Sequence, residues 1–227
     1  WWLGKRVFAA LAGSAQKDIL LASGASCLEV RAYFGSGLNR MSFELYSRGL
    51  HAVSWNADSK YCGVCGGQLA WAPPELAKKC QACGFMVYPR INPAVIMAVM
   101  HEDKILLARN TIATHPFWSL LAGYVEIGEG LEEAVAREVM EESGLRVDNV
   151  RYFGSQPWAL SQSLMIGYLC DLAEGEDPAS LVIDKNELSD AAWFSLDSLP
   201  AYPVAPSMAW RIISSLERDW KAQKNRP

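Results

Sequence analysis

The segment Gly123-Tyr124-Val125-Glu126-Ile127-Gly128-Glu129-Gly130-Leu131-Glu132-Glu133-Ala134-Val135-Ala136-Arg137-Glu138-Val139-Met140-Glu141-Glu142-Ser143-Gly144-Leu145 says more about this chain than any other part of it. Leu131, Val135 and Val139 recur at i, i+4 and i+8, the spacing of an apolar stripe on a helix packed against a sheet. The spacing predicts a helix over 131–143. Glu138, Glu141 and Glu142 fall at i, i+3 and i+4, so they project within one turn. Like charges so placed destabilise a bare helix, and a bound divalent cation reverses the sign. Carboxylate oxygens suit hard cations such as Mg²⁺ or Mn²⁺. Arg137 is placed to orient a carboxylate. Glycines at 123, 128, 130 and 144 are expected to supply the turns before the helix and its stop.

This segment also explains the charge of the molecule. The 227 residues carry a net charge of −4. Gly123–Gly144 holds seven glutamates and one arginine, or −6, which leaves +2 for everything else. A balance this mild argues against non-specific coating of nucleic acid or anionic membrane. Apolar residues make up 51% and charged residues 20%, so a sizeable core is expected and disorder is not. No apolar run reaches the roughly 18 residues of a membrane span.

The segment resembles the Nudix box, Gly-x5-Glu-x7-Arg-Glu-U-x-Glu-Glu-x-Gly-U, where U is a bulky aliphatic. Gly123, Glu129, Arg137, Glu138, Val139, Glu141, Glu142, Gly144 and Leu145 fill all nine fixed positions. The resemblance implies hydrolysis of a nucleoside diphosphate linked to another moiety, with Mg²⁺ or Mn²⁺ on this loop and helix. It implies an α+β fold: a Nudix α/β/α sandwich with a mixed sheet.

Upstream, Cys62-Gly63-Val64-Cys65 and Cys80-Gln81-Ala82-Cys83 form two Cys-x-x-Cys pairs with 14 residues between them. Four thiolates in this pattern suit one structural, tetrahedral Zn²⁺, and the glycines that follow each pair permit a positive φ. Two disulfides, or a redox Cys-x-x-Cys, are the competing readings. Cys27 and Cys170 read as small buried hydrophobes. The cysteine usage fits a reducing, cytoplasmic compartment better than a secreted disulfide scaffold.

A zinc ribbon before a Nudix domain resembles the NADH pyrophosphatase subfamily. That subfamily carries Ser-Gln-Pro-Trp-Pro-Phe-Pro-x-Ser, and here Ser155-Gln156-Pro157-Trp158-Ala159-Leu160-Ser161-Gln162-Ser163 matches except at the central Pro-Phe-Pro. The resemblance implies a substrate surface at Gln156, Pro157, Trp158 and Ser163. Trp158 offers a flat π face and Gln156 and Ser163 offer hydrogen bonds. It also implies substrate contacts at Glu75, Tyr88, Arg31 and the backbone of Ala209. Metal ligation is implied at Glu138, Glu142, Glu187 and the Ala122 carbonyl. Glu141 would activate the attacking water or complete the metal shell. Tyr124 is either a further stacking face or a core tyrosine. Two or three Mg²⁺ or Mn²⁺ ions per site, NADH or NAD⁺ as substrate, removal of an NAD cap from RNA 5′ ends, a homodimer and no membrane partner complete the expectation. Two other readings stay open: a Nudix hydrolase for ADP-ribose or a CoA-type diphosphate, and a non-catalytic nucleotide sensor.

Three segments are expected. Residues 1–57 form a β-rich N-terminal domain, truncated to judge by the absent initiating Met, with strands at Arg6–Leu11 and Cys27–Phe34 and a helix near Met41–Trp55. Residues 58–90 form the ribbon. Residues 91–227 form the Nudix domain, with strands at Ala94–Met100, Ile105–Arg109, Trp118–Val125, Val147–Trp158, Leu164–Leu172 and Ala191–Phe194. A last amphipathic helix is expected at Met208–Lys221.

Overall fold

A computed structural model of the chain describes residues 22–23, 40–111 and 117–225. Arg31, Cys27 and the two strands expected before residue 35 lie outside the described residues. The chain divides into two compact units. One ends at Ile91 and includes Pro157–Ser163; the other comprises Asn92–Gln156 and the chain from Leu164 onward.

In the first unit, helix α1 covers Arg40–Asp58 and buries Phe43, Ser47 and Trp55 along one side. A three-stranded antiparallel sheet follows, built from β1 (Leu69–Trp71), β2 (Lys78–Cys80) and β3 (Met86–Val87). Lys78 joins the two parts. Its side chain is buried, and its Nζ donates to the carbonyls of Asn56 at 2.9 Å and Ser59 at 2.6 Å, where α1 runs out of internal donors. The ammonium also lies 5.5 Å from the ring centres of Trp55 and Trp71.

The second unit is a layered α+β structure. Its strands are β4 (Asn92–His101), β5 (Lys104–Asn110), β6 (Leu121–Tyr124), β7 (Val147–Trp158), β8 (Ser163–Leu172) and β9 (Leu188–Ser195). They form a mixed sheet in the order β7-β8-β4-β5-β9, with β6 paired to β4. Strand β4 is a near-continuous apolar run because both its faces are covered. Val95, Met97 and Val99 face helix α2 (Leu131–Ser143), with Val135 and Val139 fully buried against them. Ile96 and Ala98 face helix α3 (Met208–Lys224), with Ile212 and Ile213 fully buried. Each such aliphatic side chain contributes about 1.5–3 kcal/mol through removal from water. Ser207 caps α3, its hydroxyl accepting from the Trp210 N–H at 3.2 Å.

The expected helix over 131–143 is found with those boundaries, and the last helix extends three residues further. The strand expected over Trp118–Val125 is shorter. Regular pairing covers only Leu121–Tyr124, and Ser119 makes an isolated bridge to Ala108. Trp118 is instead buried in the α3-side core, 4.7 Å edge-on from Phe194. Cys170 is fully buried, donates weakly to the Ala98 carbonyl at 3.6 Å, and has its thiol pushed up to about 12 by burial. It is a small hydrophobe, as expected. Among the described residues no helix is long and apolar enough to cross a membrane.

Candidate active site

The loop between β6 and α2 is held by one side chain. The Arg137 guanidinium donates from Nε to Glu129 at 2.7 Å and from Nη2 to the same carboxylate at 2.9 Å, a bidentate pair. Nη2 also donates to the Tyr124 carbonyl, and Nη1 to Glu138 and Glu141, all at 2.9 Å. One arginine therefore ties the loop to the helix and aims two of its glutamates. Its grip holds the Glu129 carboxyl down to about 2, with the Glu126 N–H assisting. Glu133 accepts from the Gly130 N–H at 2.7 Å and satisfies an orphan donor at the start of α2. At the other end Gly144 takes φ +69, and its N–H bonds the Met140 carbonyl at 2.9 Å.

Gly123 does not make a turn, contrary to expectation. It lies inside β6, and a Cβ there would sit 1.9 Å from the Glu138 carboxyl carbon. Its missing side chain is the space that the Glu138 carboxylate occupies. This is the close-approach use of glycine.

The three helix glutamates do not share one environment. Glu138 and Glu142, one turn apart, are buried, whereas the Glu141 side chain is 59% exposed. Burial, the charge of Glu138 and the charge of Glu187 push the Glu142 carboxyl up to about 8, against a bond from the Ala122 backbone N–H. Burial raises Glu138 as well, with Arg137 opposing. The Glu142 Oε2 is buried without a hydrogen-bond partner. A buried acceptor left unpaired beside two further carboxylates is costly in a metal-free protein and well suited to a hard divalent cation. The donor chemistry therefore fits the divalent metals that Nudix hydrolases use, although the carboxylate oxygens of Glu138, Glu142 and Glu187 do not all stand within 4.8 Å of one another, as the four ribbon sulfurs do.

This crowding gives the metal-free protein a pH dependence. Folded, Glu142 keeps its proton to about pH 8; unfolded, it loses it near 4.5. The folded state then binds more protons across that interval, so its stability falls as pH rises. Calorimetry without Mg²⁺ or Mn²⁺ is expected to show Tm dropping between about pH 5 and 8.5, with added Mn²⁺ restoring it. A Tm that is flat or rises with pH would contradict the burial of Glu142.

Glu187 lies in the turn before β9. Thr111 secures that turn: its N–H donates to the Glu187 carbonyl at 2.8 Å, and its hydroxyl to the Asn186 and Glu187 carbonyls at 3.1 Å. Sequence reasoning missed Thr111, which stands 76 residues from Glu187 and belongs to no motif. It also missed the Glu129–Arg137 clamp, although the fixed spacing of opposite charges in the segment was a usable signal.

The remaining expected residues are placed as follows. Ala209 is buried in the first turn of α3. Gln156 is buried, and its Nε2 donates to the Pro206 carbonyl at 2.6 Å while Oε1 is unpartnered. Tyr124 is exposed, so it is not a core tyrosine. In the first unit, Tyr88 is exposed and hydrogen-bonded to Glu75, whose charge raises its hydroxyl pKa. Trp158 lies 6.2 Å from Phe43, ring to ring. Ser163 is buried, its hydroxyl 2.8 Å from that of Ser161.

The four cysteines Cys62, Cys65, Cys80 and Cys83 have all their sulfurs within 4.8 Å of one another. Cys65–Cys80 is 3.5 Å and Cys62–Cys83 is 3.8 Å. Tetrahedral zinc with bonds of about 2.3 Å requires sulfurs about 3.8 Å apart. No disulfide links them. The two Cys-x-x-Cys loops repeat one geometry: Gly66 and Gly84 take φ +74 and +78, and their N–H groups bond the Cys62 and Cys80 carbonyls. The Cys83 backbone N–H holds the Cys80 thiol down to about 6, whereas the crowding sulfurs of Cys65 and Cys80 push the Cys83 thiol up to about 12. Metal analysis is expected to give one zinc per chain, and a strong chelator is expected to melt the ribbon. A zinc-free protein with an intact ribbon would contradict this.

The NUDIX domain family matches residues 90–215. The chain is a member of the Nudix family. A Nudix hydrolase from Nitrosomonas europaea has the same fold, with a TM-score of 0.57 at 23% identity over 74% of this chain and 94% of that one. Curated relatives include a protein named NAD-capped RNA hydrolase NudC from Klebsiella pneumoniae, 44% identical over 171 residues, and one of the same name from Escherichia coli at 43%. These alignments cover 75% of this chain and 65% of each relative's length.

Proposed function

We propose that this Nudix protein hydrolyses the pyrophosphate bond of NAD(H), giving AMP and nicotinamide mononucleotide, and removes NAD caps from RNA 5′ ends by the same chemistry. The buried Glu138–Glu142 pair, crowded by Glu187 and with one carboxylate oxygen unpaired, is the observation that carries the reaction type. The choice of substrate follows from the 44% identity to a relative named for NAD-capped RNA.

Glu138, Glu142, Glu187 and the Ala122 carbonyl would hold two to three Mg²⁺ or Mn²⁺ ions. Such ions, when bound, neutralise phosphate charge and lower the pKa of a water for in-line attack. Arg137 fixes the Glu138 and Glu141 carboxylates before substrate arrives, so no reorganisation is needed during reaction. Glu141, exposed and held by Arg137, would accept the proton of the attacking water or complete the metal shell. Tyr88 and Trp158 supply stacking faces; Glu75, Gln156, Pro157, Ser163, Arg31 and the Ala209 backbone supply the other contacts. The cysteine quartet holds one structural zinc. We further propose the division 1–57, 58–90 and 91–227, a homodimer and a cytoplasmic setting.

A panel of NADH, NAD⁺, ADP-ribose and NAD-capped RNA with Mn²⁺ tests the substrate assignment. NADH and NAD-capped RNA are expected to be cleaved faster than ADP-ribose; the opposite order would overturn it. Binding of NADH without turnover would favour a sensor instead.

A further inference from the structure

The turn that carries Glu187 is tied down at both ends. At its start the Asp184 N–H donates at 3.2 Å to the carbonyl of Glu142 itself, where the last turn of α2 has no internal donor to offer. Asp184 then closes the turn. Its carbonyl accepts from the Leu188 N–H at 2.8 Å. Its Oδ1 accepts from the Asn186 backbone N–H at 2.9 Å and from the Asn186 side-chain amide at 2.8 Å. At its far end the turn meets β5. Arg109 pairs with Asp190 and Asn110 with Leu188, so Ser189 is the extra residue of a bulge, a device that re-aims the neighbouring side chains. The Ser189 hydroxyl donates to the Arg109 carbonyl at 3.1 Å.

Thr111 stands one residue beyond this pairing. Its N–H donates to the Glu187 carbonyl at 2.8 Å, as a continued strand ladder would. Its hydroxyl does what a ladder cannot. It lies 3.1 Å from both the Asn186 and the Glu187 carbonyls and has one proton to share between them. The backbone of Glu187 is therefore held from β5 while the same turn is held, through Asp184, from the backbone of Glu142.

Glu187 is exposed, and its charge already reaches Glu138 and Glu142. The three carboxylates do not all stand within 4.8 Å of one another, so Glu187 has to swing inward to share a cation with the other two. On a loose turn that swing would cost backbone freedom as well as side-chain freedom; on a pinned turn only the side chain has to be ordered. We infer that Thr111 is a positioning residue for the glutamate cluster: its hydroxyl holds the backbone of Glu187 where that carboxylate can close on a divalent cation held by Glu138 and Glu142. The inference rests on the proposed ligand role of Glu187.

Mn²⁺ binding to the zinc-loaded protein, read from the loss of the free-ion electron paramagnetic resonance signal, tests it. Thr111→Val keeps the shape of the side chain and the backbone N–H bond and removes only the hydroxyl donor. It is expected to weaken Mn²⁺ binding by about two- to tenfold, the worth of one hydrogen bond, and to raise the Mn²⁺ concentration for half-maximal NADH turnover by the same factor. Thr111→Ser is expected to bind Mn²⁺ as the wild type does. Combined with Glu187→Gln, Thr111→Val is expected to add no further loss, because both act on one contact. The inference is overturned if Thr111→Val binds Mn²⁺ as tightly as the wild type while Glu187→Gln does not, if Thr111→Ser is as weak as Thr111→Val, or if Thr111→Val costs as much with Glu187→Gln as without it. Should Glu187→Gln alone leave Mn²⁺ binding unchanged, the ligand role of Glu187 falls and the inference with it. Absent NADH turnover with these Mn²⁺ differences intact would sink the proposed activity and leave the role of Thr111 standing.

Discussion

Glu142→Gln is expected to reduce metal-dependent hydrolysis by about 10³ or more while raising the stability of the metal-free protein at pH 8. The two effects have one cause. Glu142 is buried next to Glu138 and under the influence of Glu187, so its charge is unfavourable until a cation compensates it. The amide has nearly the same shape and can still accept from the Ala122 N–H. It removes the charge that holds the metal and, with it, the repulsion that opposes folding. The concentration of Mn²⁺ needed for half-maximal rate should rise with the loss of turnover. A variant that is both inactive and less stable would point to a packing role; one that is fully active would remove Glu142 from the site. Comparing activity and Tm at pH 8, with and without Mn²⁺, separates these outcomes.

Gly123→Ala is expected to be nearly as damaging, although it adds a single methyl. The new carbon would stand 1.9 Å from the carboxyl carbon of Glu138, so the glutamate must leave its place. Backbone φ at Gly123 is not in the left-handed region, so the cost comes from that overlap and not from chain conformation. The overlapped atoms are the far end of a flexible side chain, so the carboxylate can swing aside at little cost in stability, and the loss falls on the site. Displaced from Gly123, Glu138 also loses its bond to Arg137, and Arg137 loses part of its hold on Glu141. Activity is expected to fall about 10²-fold with unchanged zinc content. A crystal structure of the variant should show Glu138 in a new rotamer. Wild-type activity with Glu138 unmoved would contradict the account.

The second unit was highly legible in sequence because its elements follow simple periods. Val95, Met97 and Val99 alternate with Ile96 and Ala98, and a strand buried on both faces must be apolar throughout. Leu131, Val135 and Val139 gave the helix its limits. Trp118 read as the start of a strand because it begins an apolar run, yet its ring is used in the core and its backbone bonds the Ala201 carbonyl. What periodicity could not show was contact between distant positions. Gly123 carries the signature of a turn residue, whereas its role is to leave room for the Glu138 carboxylate. Thr111 and Lys78 act through long-range bonds to backbone carbonyls, and neither type nor spacing marks them. The spacing of Cys62, Cys65, Cys80 and Cys83, by contrast, was sufficient to predict the cluster, since two short loops closing on one point leave little freedom.

Incubation of the protein with NADH and Mn²⁺, followed by chromatographic separation of the products, tests the central claim most directly. Cleavage of the pyrophosphate by the glutamate cluster predicts AMP and reduced nicotinamide mononucleotide in equal amounts, and neither product from Glu142→Gln. Release of free nicotinamide, no product at all from the wild type, or equal turnover by the variant would contradict it.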